Sequence, residues 1–486
     1  MGENALLKNL RDDTVISSKD YLSFPKGGYL FLIAPETGAW ATISNSDNCV
    51  LDYLAVPRTV RDLKLFPKEN ISDIIDLLFY SGLVQVNGKD IFMIKSRTEG
   101  ALSAEPLPLF WVLKYTNTCN LRCRYCYSFD KTEKGITNLP NEFVYRIPEL
   151  VDNPNNGRDL SLCFHGGEPL LRFNDILECV SMIRGKYRER EIEFNVQTNG
   201  TLLTPHIART LKSERISIGI SVDGYNDETN ILRPYANNKS SVNETIRGIK
   251  ICKEIGLETG IISVLTNRIS DRCLEIMENL SGIGVRRFHF NHFFPGGRGA
   301  GKVMDYSLTT EQDLKARIDM LIYINDYNDG KDIGEHISER FISNLIKRLT
   351  SSEPLSYMCS QSPCGAGRRM ITLHHDGYLY PCDDLVTSPS LRIGHINDIK
   401  DLRSVLIKSR AVNMCQSHCI DNTPKCKACI YKRLCISHCC SDSYFYTGKF
   451  NSPHSSCDFI QQFIPIVIDY LHKGRIKVEN LIDYGS

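Results

Sequence analysis

The chain has 486 residues, 42% of them hydrophobic and 24% charged, with a formal net charge of +1. That balance gives no electrostatic reason to expect nucleic acid or an anionic membrane as a partner. The closest approach to a membrane span, FIPIVIDYL, is too short to cross a bilayer, and the opening MGENALLKNLRDD lacks the apolar core of a secretory signal.

These features predict a cytoplasmic protein of two to four domains. Nineteen cysteines are then unusual. In a reducing compartment, clustered cysteines point to metal rather than to disulfides. Cys49, Cys163, Cys179, Cys252 and Cys273 are scattered through apolar segments and are expected as small buried hydrophobes. The others form two groups, Cys119, Cys123 and Cys126, and eleven between Cys359 and Cys457.

Residues 1–100 read as a separate α+β unit. GYLFLIAPETGAWATI has two apolar strands around a Pro-Glu-Thr-Gly turn signal, which predicts a hairpin. NCVLDYLAVPRTVRDLKLF and ISDIIDLLFYSGLVQV follow with helical spacing of apolar residues. SRTEGALSAEPLP, at 96–108, is small, polar and Pro-containing, as a linker is.

Over 105–345 the pattern alternates. LFWVLKYT, LSLCFHGG, IEFNVQTNG, ISIGISVDG, TGIISVLTN and RRFHFNHFFP are strand candidates, with helical segments such as FNDILECVSMIRGKY between them. Ser241 and Glu244 are spaced as a capping box at the start of another helix. Six alternations predict a parallel sheet, because parallel neighbours need crossover helices. Ligand-binding groups are then expected at the C-terminal ends of the strands. The polar runs fall there: the cysteine motif after the first strand, then HGGEP, QTNG and SVDG. TTEQDLKARIDMLIYIND and ISERFISNLIKRLTSS read as helices, a cysteine-rich region fills 355–460, and 461–486 is expected as a helical tail broken near Pro465.

The spacing C-x3-C-x2-C at Cys119, Cys123 and Cys126 would arise by chance in roughly 0.03 places in a chain this rich in cysteine. Thiolates select zinc, copper(I) or iron–sulfur clusters, and a closed zinc site asks for a fourth ligand. CNLRCRYC, HGGEPL, QTNG and SVDG on successive strands resemble the radical SAM superfamily. The resemblance implies a partial (β/α)6 TIM-like barrel and a 4Fe–4S cluster on Cys119, Cys123 and Cys126. The cluster's open iron chelates S-adenosylmethionine, whose cleavage gives a 5′-deoxyadenosyl radical. Tyr125 matches the aromatic beside the last ligand. Gly166, Gly167, Glu168 and Pro169 match the segment that holds the cofactor's amino group through its backbone. Ser221 and Arg233 match ribose- and carboxylate-contacting positions, a role for which the arginine fork is suited. A solvated surface arginine is the alternative for Arg233.

The C-terminal region resembles the SPASM extension of these enzymes, with two auxiliary 4Fe–4S clusters and hence three in all. Its interleaved ligation implies Cys359, Cys364, Cys382 and Cys439 for the first, and Cys426, Cys429, Cys435 and Cys457 for the second. A zinc ribbon is the alternative. Cys415, Cys419 and Cys440 are surplus. Asp383 aligns with an acidic residue that sulfatase maturases use as a catalytic base; a hydrogen-bond acceptor near a cluster, or a surface carboxylate, is the alternative.

Residues 20–95 resemble the winged-helix-like peptide-recognition element of ribosomal-peptide maturases, whose sheet edge takes a precursor's leader as an added strand. A DNA-reading winged helix is the alternative, weakened by the neutral charge. The expectation is a peptide maturase that installs a thioether or carbon–carbon crosslink. It would be served by a reducing partner such as flavodoxin or ferredoxin, without nucleic acid or membrane. Sulfatase-maturase-like oxidation of a protein Cys or Ser, and a non-catalytic iron–sulfur or zinc scaffold, are the rivals.

Overall fold

The computed structural model describes residues 6–89, 109–128, 135–151, 160–351 and 355–483. Chain contacts divide it into two units. One comprises Met1–Glu99, Ser351–Pro354 and Pro424–Cys435; the other comprises Gly100–Thr350, Leu355–Thr423 and Ile436–Ser486. The linker expected at 96–108 lies outside the described residues.

The first unit has strands β1 (Val15–Ser18), β2 (Leu22–Lys26), β3 (Tyr29–Ala34), β4 (Ala39–Ser44), β5 (Arg58–Thr59) and β6 (Val84–Val86). They make two antiparallel three-stranded sheets, β5-β1-β6 and β2-β3-β4. The expected hairpin is β3–β4, in register from Tyr29 with Ser44 to Ala34 with Ala39. Leu32, Ala34, Ala41 and Ile43 enter one core with Ile74, Ile75 and Leu78 of the helix Ile71–Tyr80. That helix stops short of the expected span. Gly82 takes φ of +75° just past its end, and Val84 and Val86 go into β6 beside β1. Two alternating apolar residues are buried better there by strand pairing than by another helical turn.

Pro424–Cys435 belongs to this same unit. The Lys432 ammonium lies 2.6 Å from a Glu36 carboxylate oxygen in the β3–β4 turn, and Arg433 Nε donates to the Glu36 carbonyl at 3.2 Å. A Cβ on Gly38 would stand 2.8 Å from the Cβ of Arg433, so the turn accepts this segment only with glycine there. Cys49 corrects one expectation: it is exposed, on the helix Asn48–Tyr53 whose neighbours Val50 and Leu51 face the core instead.

The second unit is built on one open sheet. Its strands β7 (Phe110–Thr116), β8 (Leu160–Gly166), β9 (Ile192–Thr198), β10 (Ile216–Ser221), β11 (Thr259–Leu265) and β12 (Arg287–His292) are the six expected ones. Every neighbouring pair is parallel, with helices such as Phe173–Lys186 and Val242–Ile255 between. This is the expected α/β, partial-barrel fold. A two-residue strand β13 (Ser338–Glu339) pairs with β12, taking the start of a segment expected as wholly helical. Past β7 the sheet continues into β14 (Met370–Leu373), parallel to it, and then β15 (Tyr378–Tyr380) and β16 (Gly394–His395). The cysteine-rich region is thus joined to the first barrel strand by main-chain hydrogen bonds.

Two further expectations are corrected. Ser241 precedes the helix Val242–Ile255 but makes no capping bond; its hydroxyl donates to the Arg233 carbonyl at 2.6 Å. The last helix is continuous from Cys457 to His472 through Pro465. A proline there costs about 3 kcal/mol. Burial of Phe459, Ile460, Phe463, Ile464, Val467 and Ile468 along one face offsets it. Among the described residues, no helix is long and apolar enough to cross a membrane.

Candidate active site

Chain folding brings the four polar runs to one end of the parallel sheet, as expected. The loop after β7 carries Cys119, Cys123 and Cys126, all partly buried. It is pinned on one side by segment 232–235: Arg122 N donates to the Pro234 carbonyl at 2.7 Å and Arg124 N to the Leu232 carbonyl at 2.8 Å. On the other side lies the HGGEP turn. Gly167 N donates to the Thr116 carbonyl at 2.7 Å and Glu168 N to the Thr118 carbonyl at 2.8 Å. A Cβ on Gly167 would come within 2.0 Å of the Thr118 carbonyl oxygen, and one on Gly166, at φ of +116°, within 2.6 Å of that of Thr116. The two glycines therefore serve an approach of backbone to backbone, between the turn and the cysteine loop.

Cys119 and Cys123 feel neighbouring thiols and a dry surrounding. Burial, with Glu168 and Cys123 adding to it, pushes the Cys119 thiol up to about 12. Burial also pushes Cys123 up to about 11, against the pull of Arg233. Such thiols keep their protons until a cation displaces them. Donors stand ready for the sulfur: Leu121 N lies 3.3 Å and Asn199 Nδ2 3.9 Å from Cys119 Sγ. Among the described residues, no three His, Cys, Asp or Glu side chains converge as a single metal ion would require. Three soft thiols spread around a dry pocket, with N–H groups aimed at sulfur, fit a cluster in which each thiolate takes its own iron.

Glu168 is fully buried and committed to the frame. One carboxylate oxygen accepts from Thr198 Oγ1 at 2.6 Å and Leu170 N at 3.0 Å, the other from Asn199 N at 2.8 Å. Pro169 follows it as the first residue of a short 3-10 turn. Ser221 accepts from Gln197 Nε2 at 2.8 Å, which ties the ends of β9 and β10. Arg233 is buried, not a surface arginine. Its Nη1 donates to the Tyr125 hydroxyl at 2.9 Å, which in turn donates to Asp223 Oδ2 at 2.6 Å. Burial raises the Asp223 carboxyl and the Arg233 guanidinium opposes that rise. Asp223, the Asp of SVDG, was not singled out from sequence, although a lone carboxylate ending an apolar strand was the available signal.

Asp383 joins a second cluster of polar groups. It accepts from Tyr127 OH at 2.5 Å and lies 3.5 Å from Lys114 Nζ, which donates to Ser128 Oγ at 2.7 Å. Burial pushes its carboxyl up, but Lys114 and the Tyr127 hydroxyl outweigh this and hold it below the usual carboxylate range. Its neighbour Asp384 moves the other way, up to about 7, through burial and the Asp383 charge. Burial and Lys114 hold His165 down to about 3, so it is a neutral imidazole whose Nδ1 accepts from Gly166 N at 2.7 Å. Two adjacent carboxyls driven apart in this way can take opposite roles in proton transfer. Lys114 is legible as the one charge inside LFWVLKY, and no local pattern marks Tyr127.

Cys359, Cys364, Cys382 and Cys439 are brought together: Cys359, Cys382 and Cys439 are each raised first by burial and also by at least one other member of the set, with Cys364 acting on Cys359 and Cys439, whereas Cys364 itself is raised first by its hydrogen bond to Cys440 and then by burial. Cys426 stands in the short helix Pro424–Lys427 and Cys429 and Cys435 follow it in the same segment of the first unit, with Cys429 N donating to the Cys426 carbonyl at 3.0 Å. Cys457 opens the last helix of the second unit.

The Radical SAM superfamily profile matches residues 113–290. An uncharacterised protein of Methanocaldococcus jannaschii is 36% identical over 186 residues, 38% of this chain and 62% of that protein's own length. A cysteine-type anaerobic sulfatase-maturating enzyme of Clostridium novyi is 26% identical over 333 residues, covering 67% of this chain and 85% of the enzyme. Among solved structures, Streptococcus suis SuiB bound to its precursor peptide SuiA superposes with a TM-score of 0.53 at 15% identity, over 91% of this chain and 99% of SuiB.

Proposed function

This chain is a radical SAM enzyme homologous to anaerobic sulfatase-maturating enzymes, and from that premise we propose that it is a leader-dependent maturase of a ribosomally made peptide. The observation that carries the reading is strand β2. It is the edge of the sheet β2-β3-β4, and its residues Leu22 to Pro25 are all exposed. Pro25 and Lys26 blunt one end of this edge, which leaves the exposed Leu22 to Phe24 as the stretch where a strand could be added. The fold shared with SuiB supports the same reading. A match over 91% of the chain leaves only about 44 residues unmatched, fewer than the 99 of Met1–Glu99, so it includes part of that unit.

When bound, the cluster and S-adenosylmethionine supply a 5′-deoxyadenosyl radical that abstracts hydrogen. Cys119, Cys123 and Cys126 would hold that cluster. The HGGEP backbone, Ser221 and Arg233 would hold the cofactor. Glu168 fixes the cofactor loop to β9, and Tyr125 and Asp223 fix Arg233. Asp383, kept ionised by Lys114 and Tyr127, would accept a proton from the peptide as its modification completes. Cys359, Cys364, Cys382 and Cys439 would hold the first auxiliary cluster. Flavodoxin or ferredoxin would supply the electron, and the favoured product is a thioether or carbon–carbon crosslink. Oxidation of a protein Cys or Ser is the second reading, favoured by the 67% of the chain that aligns with the Clostridium novyi enzyme.

The test of the leader reading uses the full chain with Leu22→Glu and Phe24→Glu together. Both side chains are exposed, at 44% and 38%, so folding loses little. Affinity for a synthetic leader peptide of the precursor should fall by about tenfold or more, read by fluorescence anisotropy. Release of 5′-deoxyadenosine without peptide should not change. Unaltered leader affinity would remove β2 from the account and move the sulfatase-maturase reading ahead.

Gly167→Ala tests the cofactor loop. A Cβ 2.0 Å from a carbonyl oxygen cannot be accommodated without moving the loop that carries Cys119. A displacement of about 1 Å can cost about 100-fold in rate, and a loss of that order is expected in 5′-deoxyadenosine release.

A further inference from the structure

Cys415 and Cys440 are left over by the ligand pattern, yet both are buried against one of its members. Cys440 Sγ lies 3.6 Å from Cys364 Sγ, within reach of an S–H···S hydrogen bond, and Cys415 hydrogen-bonds Cys440 in turn. All three are at most 5% exposed, in an apolar cluster with Val112, Ala366, Met370 and Leu385. Besides these thiols, the Ala366 N–H reaches the Cys364 sulfur at 3.5 Å, and the Cys440 N–H does so as well.

Thiolates bound to different irons of one cluster are kept apart by the cluster, so two sulfurs in direct contact cannot both be ligands as they stand. Cys364 fits the ligand set. Once it is deprotonated, Cys440 is the member of the pair with a proton to give. We propose that Cys440, oriented by Cys415, donates an S–H hydrogen bond to the Cys364 thiolate and raises the reduction potential of the first auxiliary cluster. This rests on the ligand set proposed above for that cluster.

The physical reason is the dryness of the site. Reduction adds negative charge that the sulfur ligands share, and an apolar surrounding does nothing to stabilise it. A donor aimed at the sulfur stabilises the reduced state more than the oxidised one, and more strongly where the local dielectric is low. Cys440 is then a positioning residue for an electron. It makes the cluster a better acceptor for the electron that leaves the peptide when a crosslink closes.

The experiment is an EPR-monitored redox titration of the anaerobically reconstituted full chain, with iron counted in every sample. Cys440→Ala should keep all its iron while one auxiliary cluster shifts to a more negative potential. Cys440→Ser, whose hydroxyl can still donate to sulfur, should stay close to the parent. Cys415→Ala should shift in the same direction by less. Full iron with no potential moved in Cys440→Ala would overturn the proposal. So would loss of a cluster's iron in Cys440→Ala but not in Cys364→Ala, since Cys440 would then be the ligand. Cys359→Ala checks the reading beneath: if it and Cys364→Ala both keep all their iron, the ligand set is wrong, and the proposal falls with it.

Discussion

Alanine at Cys119, Cys123 and Cys126 together should remove about four of about twelve irons and abolish release of 5′-deoxyadenosine. The three thiols stand on a loop held from both sides by backbone hydrogen bonds, at Arg122 and Arg124 and at Gly167 and Glu168. The fold around the loop does not depend on metal for its core, which is built on large buried side chains such as Trp111, Phe164 and Phe194. The triple variant should therefore keep its circular dichroism while losing all turnover. Iron analysis and chromatography of the nucleoside check both halves. Stoichiometric zinc with no iron in the parent protein would overturn the reading at its root.

Arg233→Ala should act on stability and on cofactor affinity at once. It leaves Asp223 buried with only neutral partners, chiefly Tyr125 OH and the Val264 N–H. Arg233 reaches Asp223 through Tyr125 rather than as a direct pair, so removing its charge should cost less than the about 3–5 kcal/mol of breaking a direct buried ion pair from one side. A lower urea midpoint is the first expected result. The second is weaker binding of S-adenosylmethionine by equilibrium dialysis, since a charge-assisted contact to its carboxylate goes too. Asp223→Asn in the same chain separates the two effects. It removes the stranded charge, so the urea midpoint should largely return while cofactor affinity stays low. Recovery of both would make Arg233 a structural residue only.

Much of this site could be read from the residues. Three of the six barrel strands run into Gly signals, HGG, TNG and VDG, and buried residues at every second position of β8, β9 and β10 make such runs conspicuous. The spacing of the first three cysteines carries its own statistics. What escaped depends on tertiary partners. Lys114 is paired across 269 positions with Asp383, and no local pattern announces such a pair. The strands β14 to β16 have two to four residues each and exist because β7 offers an open edge. Ser241 and Glu244 have the spacing of a cap, yet the hydroxyl goes to the Arg233 carbonyl. A buried carbonyl costs more to leave unpaired than a helix end near solvent. The segment with Cys426, Cys429 and Cys435 groups with the N-terminal unit through Glu36, Lys432 and Arg433, a relation that lies nearly 400 residues apart in sequence.

A leader held at β2 should deliver its own peptide to the radical centre. Mass spectrometry tests it most directly, on two peptides treated with reconstituted enzyme, S-adenosylmethionine and dithionite without oxygen. One is the full-length precursor peptide and the other is its core alone. The expected result is a precursor lighter by one pair of hydrogens, with a crosslink located by fragmentation, and a core left almost untouched because it lacks the effective concentration that tethering provides. Equal modification of both peptides, or oxidation of a single Cys or Ser side chain with no crosslink, would contradict it.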